Sequence, residues 1–418
     1  MKVHGSLRVP GDKSISHRSL ILSAIADGES RIEGILQSAD VHSTAGVLRA
    51  LGAQIPELAS RMTVSGAGIR GLSQPTAALD CGNSGTTTRL MAGVVAGLPL
   101  DATFVGDSSL SRRPMRRVAR PLEAMGAKVE LPEHGGLPMT IHGGQLHSLN
   151  WSSEHASAQV KSAILLAALV AGVHAEVLEP VMTRDHTERM LAARGVRLII
   201  DGQRVAIEPV SRVDAANVVV PGDPSSAAFF AGLAAIADDG SLRMENVCVN
   251  ETRRGFFYQL RLAGVDVREE NRRMEGGEPV ADLVVSPREL HGTVVEGSRV
   301  PSMVDELPLL ACIATRANGE TLITGAGELR VKESDRITAV VDNLRAIGAE
   351  AEELPDGMRI RGSERPLEGR VHTHGDHRLA MAFGILAAAQ GNSIAIDDRD
   401  CVAVSYPNFW ADLERVVV

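Results

Sequence analysis

Leu48-Arg49-Ala50-Leu51-Gly52-Ala53-Gln54-Ile55 ends an amphipathic stretch on a glycine and passes directly into an extended one. The same phrase returns as LEAMGAKV at 122–129, LAARGVRL at 191–198, LRLAGVDV at 260–267 and LRAIGAEA at 344–351. Gly52, Gly126, Gly195, Gly264 and Gly348 follow one another at intervals of 74, 69, 69 and 84 residues. A further helix, Asn408 to Val416, brings the equivalent position to Val417, another 69 on. Glycine just past a helix end accepts the left-handed conformation, so each copy predicts a helix-to-strand joint. Such joints occur in any α/β protein, but five at a near-constant spacing of about one sixth of the chain point to a duplicated unit.

A longer repeat sits above this one. Val9-Pro10-Gly11-Asp12-Lys13-Ser14 reappears 211 residues later as Val220-Pro221-Gly222-Asp223-Pro224-Ser225. Two halves of three α/β units each follow, with helices packed on sheets around two cores. The expected division is 12–221 for the first three units and 1–11 plus 222–418 for the last three. The opening strand then belongs to the second half, and the two Pro-Gly-Asp turns are crossovers. The copies differ in charge: Pro224 replaces Lys13, and no arginine follows where Arg18 stands. The turn forms without those cations, which shifts Lys13 and Arg18 toward ligand binding.

Apolar residues make up 44% of the 418 and charged residues 23%, ordinary globular usage that excludes wholesale disorder. Aromatics are only 3%, so the core is built from small aliphatic side chains and offers little surface for stacking bases. A net charge of -9 argues against a general nucleic-acid or anionic-membrane binder. Cys81, Cys248, Cys312 and Cys401 lie in no metal-ligand spacing and read as buried free thiols in a reducing compartment. The N-terminus lacks the apolar region of a secretory signal, and AILLAALVAGV at 163–173 is too short to span a bilayer. The cytoplasm is the expected location.

Several helix starts carry the wrong charge. The positive end of a helix normally attracts Asp or Glu, yet Lys13, His17 and Arg18 crowd the turns after Asp12. A cationic first turn becomes favourable when an anion docks on it, although a solvated basic turn is the common alternative. Asp80-Cys81-Gly82-Asn83-Ser84-Gly85-Thr86-Thr87-Thr88-Arg89 is a glycine-rich turn feeding a helix, suited to cradling phosphate or carboxylate but lacking the Walker lysine. Arg113, Arg117 and Arg120 form a like-charged stripe at helical spacing, with Arg113 fixed just before Pro114. Arg330-Val331-Lys332-Glu333-Ser334-Asp335-Arg336 opens a helix on which Lys332 and Arg336, four apart, share a face beside Glu333. Gly375-Asp376-His377-Arg378 repeats the pattern, and Pro301 to Glu306 sets Asp305 at another helix start, where capping is the plain alternative.

Together PGDKSISHR, GNSGTTTRL, RRPM, SAQVKSA, RVKESDR and GDHR resemble the 5-enolpyruvylshikimate-3-phosphate synthases from about Val9 to Phe409. The resemblance implies a two-domain enolpyruvyl transferase α/β fold, each domain three βαβαββ units, with the active site in the interdomain cleft and domain closure during turnover. It implies transfer of the enolpyruvyl group of phosphoenolpyruvate to the 5-hydroxyl of shikimate 3-phosphate, with no metal or organic cofactor, in a monomer. It places Lys13, Ser14, Arg18, Ser157, Ala158, Gln159 and Lys332 at shikimate 3-phosphate, and Arg184 at a further substrate contact found in one branch of the family. Asn83, Gly85, Arg113, Arg336, His377 and Arg378 fall at phosphoenolpyruvate, which Lys13 also reaches. Asp305 matches the base for the 5-hydroxyl, and Glu333 a proton shuttle at the methylene. Ala158, Glu328 and Val404 stand where the best-known bacterial form has serine, asparagine and lysine, which resembles the branch called class II. UDP-N-acetylglucosamine enolpyruvyl transferase and an inactive anion-binding protein of the same fold remain the alternatives.

Overall fold

The computed structural model describes all 418 residues. The chain divides into two compact units, one of 11–220 with 275–278, the other of 1–10, 221–274 and 279–418. Each has its own aliphatic core. The fold is mixed α/β, with three small sheets in each unit.

One pattern recurs in the complete sheets. Leu79–Asp80 runs parallel to Asp101–Val105, which pairs antiparallel with Met139–His142, itself antiparallel to Lys128–Glu130. Leu149–Ser152, Ala175–Leu178, Arg204–Ile207 and Leu198–Asp201 repeat this order. The parallel pair requires a helical crossover, whereas an antiparallel pair of successive strands, such as Leu198–Asp201 with Arg204–Ile207, closes through a short turn. The last sheet stops at its parallel pair, Glu368–Val371 with Ser393–Ile396.

The strands before the two Pro-Gly-Asp turns are exchanged. Lys2–Leu7 pairs parallel with Asp239–Cys248, and Val218–Val219 pairs parallel with Asp27–Glu33. After each turn an aspartate caps a helix: Asp12 accepts from the Ile15 amide at 2.8 Å, and Asp223 from the Ser225 amide at 2.8 Å. All five repeat glycines have positive φ, between +77° and +110°, which is why a glycine marks each joint.

Small residues set the interhelix distances. Helix Ala158–Ala171 is apolar on nearly every side and correspondingly buried. It packs against helix Gly85–Ala96 so closely that a Cβ on Gly93 would stand 2.2 Å from the Ala163 carbonyl oxygen. The scarcity of aromatics is uneven: six of the seven phenylalanines lie in the unit containing 221–274 and 279–418, where Phe229, Phe230, Tyr406, Phe409 and Trp410 form a cluster. Cys81, Cys248 and Cys312 are buried thiols, whereas Cys401 is only half-buried, and none is bridged. No helix is long and apolar enough to cross a membrane.

Candidate active site

In the 11–220 unit, three helices bring cations and hydroxyls together: α1 (Lys13–Ala24), α2 (Ala39–Ala50) and α3 (Gly85–Ala96). Lys13 opens α1, and its Nζ lies 2.9 Å from Asp40 Oδ2 on α2. Arg18 is buried one turn later and bonds only to uncharged oxygens: its Nε donates to Thr187 Oγ1 at 2.6 Å, its Nη2 to Ser162 Oγ at 2.8 Å, and its Nη1 to the Ser14 carbonyl at 3.0 Å. Burial pushes its guanidinium down to about 10, opposed by the carboxylates of Glu188 and Asp12 and assisted by the neighbouring charge of Arg184. It therefore remains a cation at neutral pH, held by dipoles rather than by a directly bonded carboxylate.

Behind Arg18 lies a buried charge cluster. Lys161 Nζ sits 2.7 Å from both Glu179 Oε2 and Glu188 Oε1, and all three side chains are no more than 2% exposed. Glu188 adjoins Thr187, the residue that holds Arg18. The cation compensates for two carboxylates that would otherwise be costly to bury.

The Asn83–Gly85 turn meets the Arg113 loop. Arg113 Nη2 donates to Asn83 Oδ1 at 2.6 Å, and Asn83 Nδ2 donates to Asp107 Oδ2 at 2.6 Å. Ser84 caps α3 by accepting from the Thr87 amide at 3.1 Å. A Cβ on Gly85 would stand 2.8 Å from Arg89 Nη1 and 3.4 Å from Arg113 Nη1, so glycine lets two guanidinium groups approach the first turn. Gln159 is held in the same group, accepting from Arg89 Nη1 at 2.6 Å and donating to Thr86 Oγ1 at 2.9 Å. Ser157 caps the following helix, Ala158 is that helix's first residue, and Arg184 is half-buried in the loop before helix His186–Ala192.

The other unit assembles a different group. Arg336, buried at the start of helix Arg336–Ala346, donates to Glu333 Oε2 at 2.6 Å and to Asp376 Oδ2 at 2.8 Å; its Nη1 lies 3.5 Å from Asp305 Oδ1. Burial opposes its charge, but Asp376, Glu333 and Asp305 outweigh that and raise its pKa. Asp376 responds in the opposite sense: burial alone would raise its pKa, and Arg336 holds it below the ordinary carboxylate value. Lys332 Nζ stands 3.7 Å from the same Asp305 oxygen. His377 and Arg378 open helix His377–Ala388, where Asp376 caps the Arg378 amide at 2.9 Å and the Arg378 guanidinium lies 5.9 Å from the centre of the Phe229 ring.

A family model described as EPSP synthase (3-phosphoshikimate 1-carboxyvinyltransferase) matches residues 1–413. The chain belongs to that family. It is 50% identical over 420 residues to a 3-phosphoshikimate 1-carboxyvinyltransferase from Sulfurihydrogenibium sp., covering 99% of this chain and 97% of the relative. The solved EPSP synthase of Acinetobacter baumannii matches with a TM-score of 0.88 and 40% identity over 100% of this chain and 96% of the other. The enolpyruvyl transferase NikO from Streptomyces tendae, at 17% identity, has a TM-score of 0.78 over 99% of this chain and 95% of its own, a likeness of fold. The enolpyruvyl transferase α/β fold expected from the motifs is thus the fold of the family.

Two local readings need correction. Lys332 and Arg336 do not share a helical face, because Lys332 is extended and the helix starts only after the Asp335 cap. They share Asp305 instead. Arg113 likewise precedes helix Arg116–Ala124, so only Arg117 and Arg120 of the supposed stripe are helical; freed from the helix, Arg113 reaches Asn83. Sequence reasoning missed Asp40, Thr187, Lys161 and the central place of Asp376. Lys13 and Asp40 are 27 residues apart and Arg18 and Thr187 are 169 apart, and no local periodicity encodes such pairings.

Proposed function

We propose that this chain transfers the enolpyruvyl group of phosphoenolpyruvate to the 5-hydroxyl of shikimate 3-phosphate and releases phosphate. The 5-hydroxyl oxygen bonds to C2 of phosphoenolpyruvate and loses its proton, while the methylene gains one and becomes a methyl group. Phosphate then leaves C2 with its bridging oxygen, and the methyl group returns a proton to restore the double bond. The chemistry needs one group to take a proton and one to deliver it. The observation that carries the reading furthest is Arg336 with Asp305 and Glu333 on its guanidinium.

In this reading Asp305 is the base for the hydroxyl, and Glu333 carries the methylene proton with Lys13. Lys13, Ser14, Arg18, Ser157, Ala158, Gln159, Arg184 and Lys332 hold shikimate 3-phosphate. Asn83, Gly85, Arg113, Arg336, His377 and Arg378 hold phosphoenolpyruvate. Two substrates bearing phosphate and carboxylate repel one another, and convergent cations offset that repulsion. Arg18 suits the task because its hydrogen bonds leave its charge undiminished by a directly bonded carboxylate.

The working form in this reading is a monomer. Four unbridged cysteines suit the reducing cytoplasm. The rival nucleotide-sugar transferase reading calls for a reactive cysteine on the segment from Gly106 to Pro121, which has none. Burial also pushes the Cys81 and Cys401 thiols up to about 12, which keeps them unreactive. The test is phosphate release with phosphoenolpyruvate plus either shikimate 3-phosphate or UDP-N-acetylglucosamine. Release with the first acceptor and little with the second is the expected result; turnover of the nucleotide sugar alone would overturn the proposal, and none with either would favour an inactive binding protein.

A further inference from the structure

Inside the 11–220 unit runs a chain of hydrogen bonds that no step above uses. His17 Nδ1 lies 2.6 Å from Thr44 Oγ1, Thr44 Oγ1 lies 2.7 Å from Thr87 Oγ1, and Thr87 Oγ1 donates to Ser84 Oγ at 2.7 Å. All four residues are fully buried. The chain crosses from α1 through α2 to the cap of α3, and each station adjoins the candidate site. His17 precedes Arg18; Asp40, one turn before Thr44 on α2, holds Lys13; Ser84 lies between Asn83 and Gly85.

Counting protons gives the chain a direction. A hydroxyl has one proton to donate. Thr87 is the donor toward both Ser84 Oγ at 2.7 Å and the Asp40 carbonyl at 3.4 Å, and with its one proton shared on that side the Thr44 hydroxyl donates to Thr87. With its only proton committed, Thr44 accepts from His17 Nδ1. His17 Nε2 is buried and has no hydrogen-bond partner, as suits a bare lone pair better than an orphaned N–H.

We infer that His17 is a neutral imidazole protonated at Nδ1, and that it is a positioning residue. It sets the direction of a hydroxyl relay that ties α1, α2 and α3 together and so keeps Lys13 in register with the Asn83–Gly85 turn. The role rests on the substrate contacts proposed above for those residues; the tautomer does not. Relay and salt bridge act together on α2, because the Asp40 carbonyl lies 3.4 Å from Thr87 Oγ1 while its carboxylate holds Lys13.

Two measurements test this. In protein labelled with ¹⁵N-histidine, the His17 signal is identified among 13 histidines by its loss in His17→Asn. The charged groups acting on it are Asp40, Lys13 and Arg18, and burial holds its pKa near 3, so the Nδ1–H form persists at both pH 7 and pH 5. An Nε2–H tautomer or an imidazolium at pH 7 would overturn the assignment. Thr44→Val removes the hydroxyl and keeps the shape; it raises the KM for phosphoenolpyruvate at least about fivefold with a smaller change in kcat, and Thr44→Ser restores it. Thr87→Val gives the same result should Thr44→Val not fold. A wild-type KM in a folded valine variant, with only thermal stability lost, would make the relay structural and end the positioning proposal. Wild-type protein inactive on both substrates would instead remove the functional reading and leave the tautomer standing.

Discussion

The two units treat buried arginine in opposite ways. Arg18 is held by two hydroxyls and a carbonyl, whereas Arg336 is hydrogen-bonded to the carboxylates of Asp376, Glu333 and Asp305. A guanidinium satisfied by dipoles keeps its charge for an incoming anion. One ringed by carboxylates orients those carboxylates, which can then exchange protons. The first arrangement suits binding alone, whereas in the second the proposed phosphoenolpyruvate cation Arg336 also orients the carboxylates proposed for the proton steps.

The sharpest way to break this comparison is Asp305→Ala. Removing the proposed base lowers kcat by about 10²- to 10⁴-fold, while shikimate 3-phosphate binding, followed by calorimetry, remains measurable. Near-normal turnover would remove Asp305 from the mechanism. Arg18→Met tests the other side: it weakens shikimate 3-phosphate binding by about 10- to 100-fold, the scale of hydrogen bonds to a charged group. Its effect on thermal unfolding is smaller, because Thr187 and Ser162 also bond to each other at 2.7 Å and remain partnered when Arg18 is gone. A large loss of stability with unchanged affinity would show Arg18 to be structural.

The smallest effect is on stability against pH. Burial lowers the His17 pKa from 6.5 to about 3, opposed by Asp40 and reinforced by Lys13 and Arg18. The unfolded chain therefore takes up a proton below pH 6.5 that the folded chain refuses, and stability falls as pH falls. From pH 6.5 to 5 the loss attributable to this group is about 2 kcal/mol. Urea unfolding at the two pH values measures it, and His17→Asn flattens the slope. An unchanged slope in that variant would show that His17 does not set it.

Much of the fold was legible because its signals are local. Asp12, Ser84, Asp223, Asp335 and Asp376 cap helices by bonding amides two or three residues ahead. The same locality misled where a helix began later than its charge spacing suggested, at Lys332 and at Arg113. The motifs named the cationic side chains, but not what neutralises, orients or crowds them. Arg89 illustrates the limit: its place one turn into a helix fits bracing the structure and meeting a ligand equally well, and packing sets it between Gly85 and Gln159.

By itself the sequence determined the repeated helix–glycine–strand joints, the capped helix starts and the small-residue cores, since each depends on neighbours within a turn or on overall composition. Only the tertiary structure decided which charges are paired. Arg18 finds Thr187 at a separation of 169 residues and Ser162 at 144, and Arg336 finds Asp376 at 40. The energy of such a pair depends on burial and on distances of a few ångströms. Those quantities exist only once helices from separate repeats have packed together.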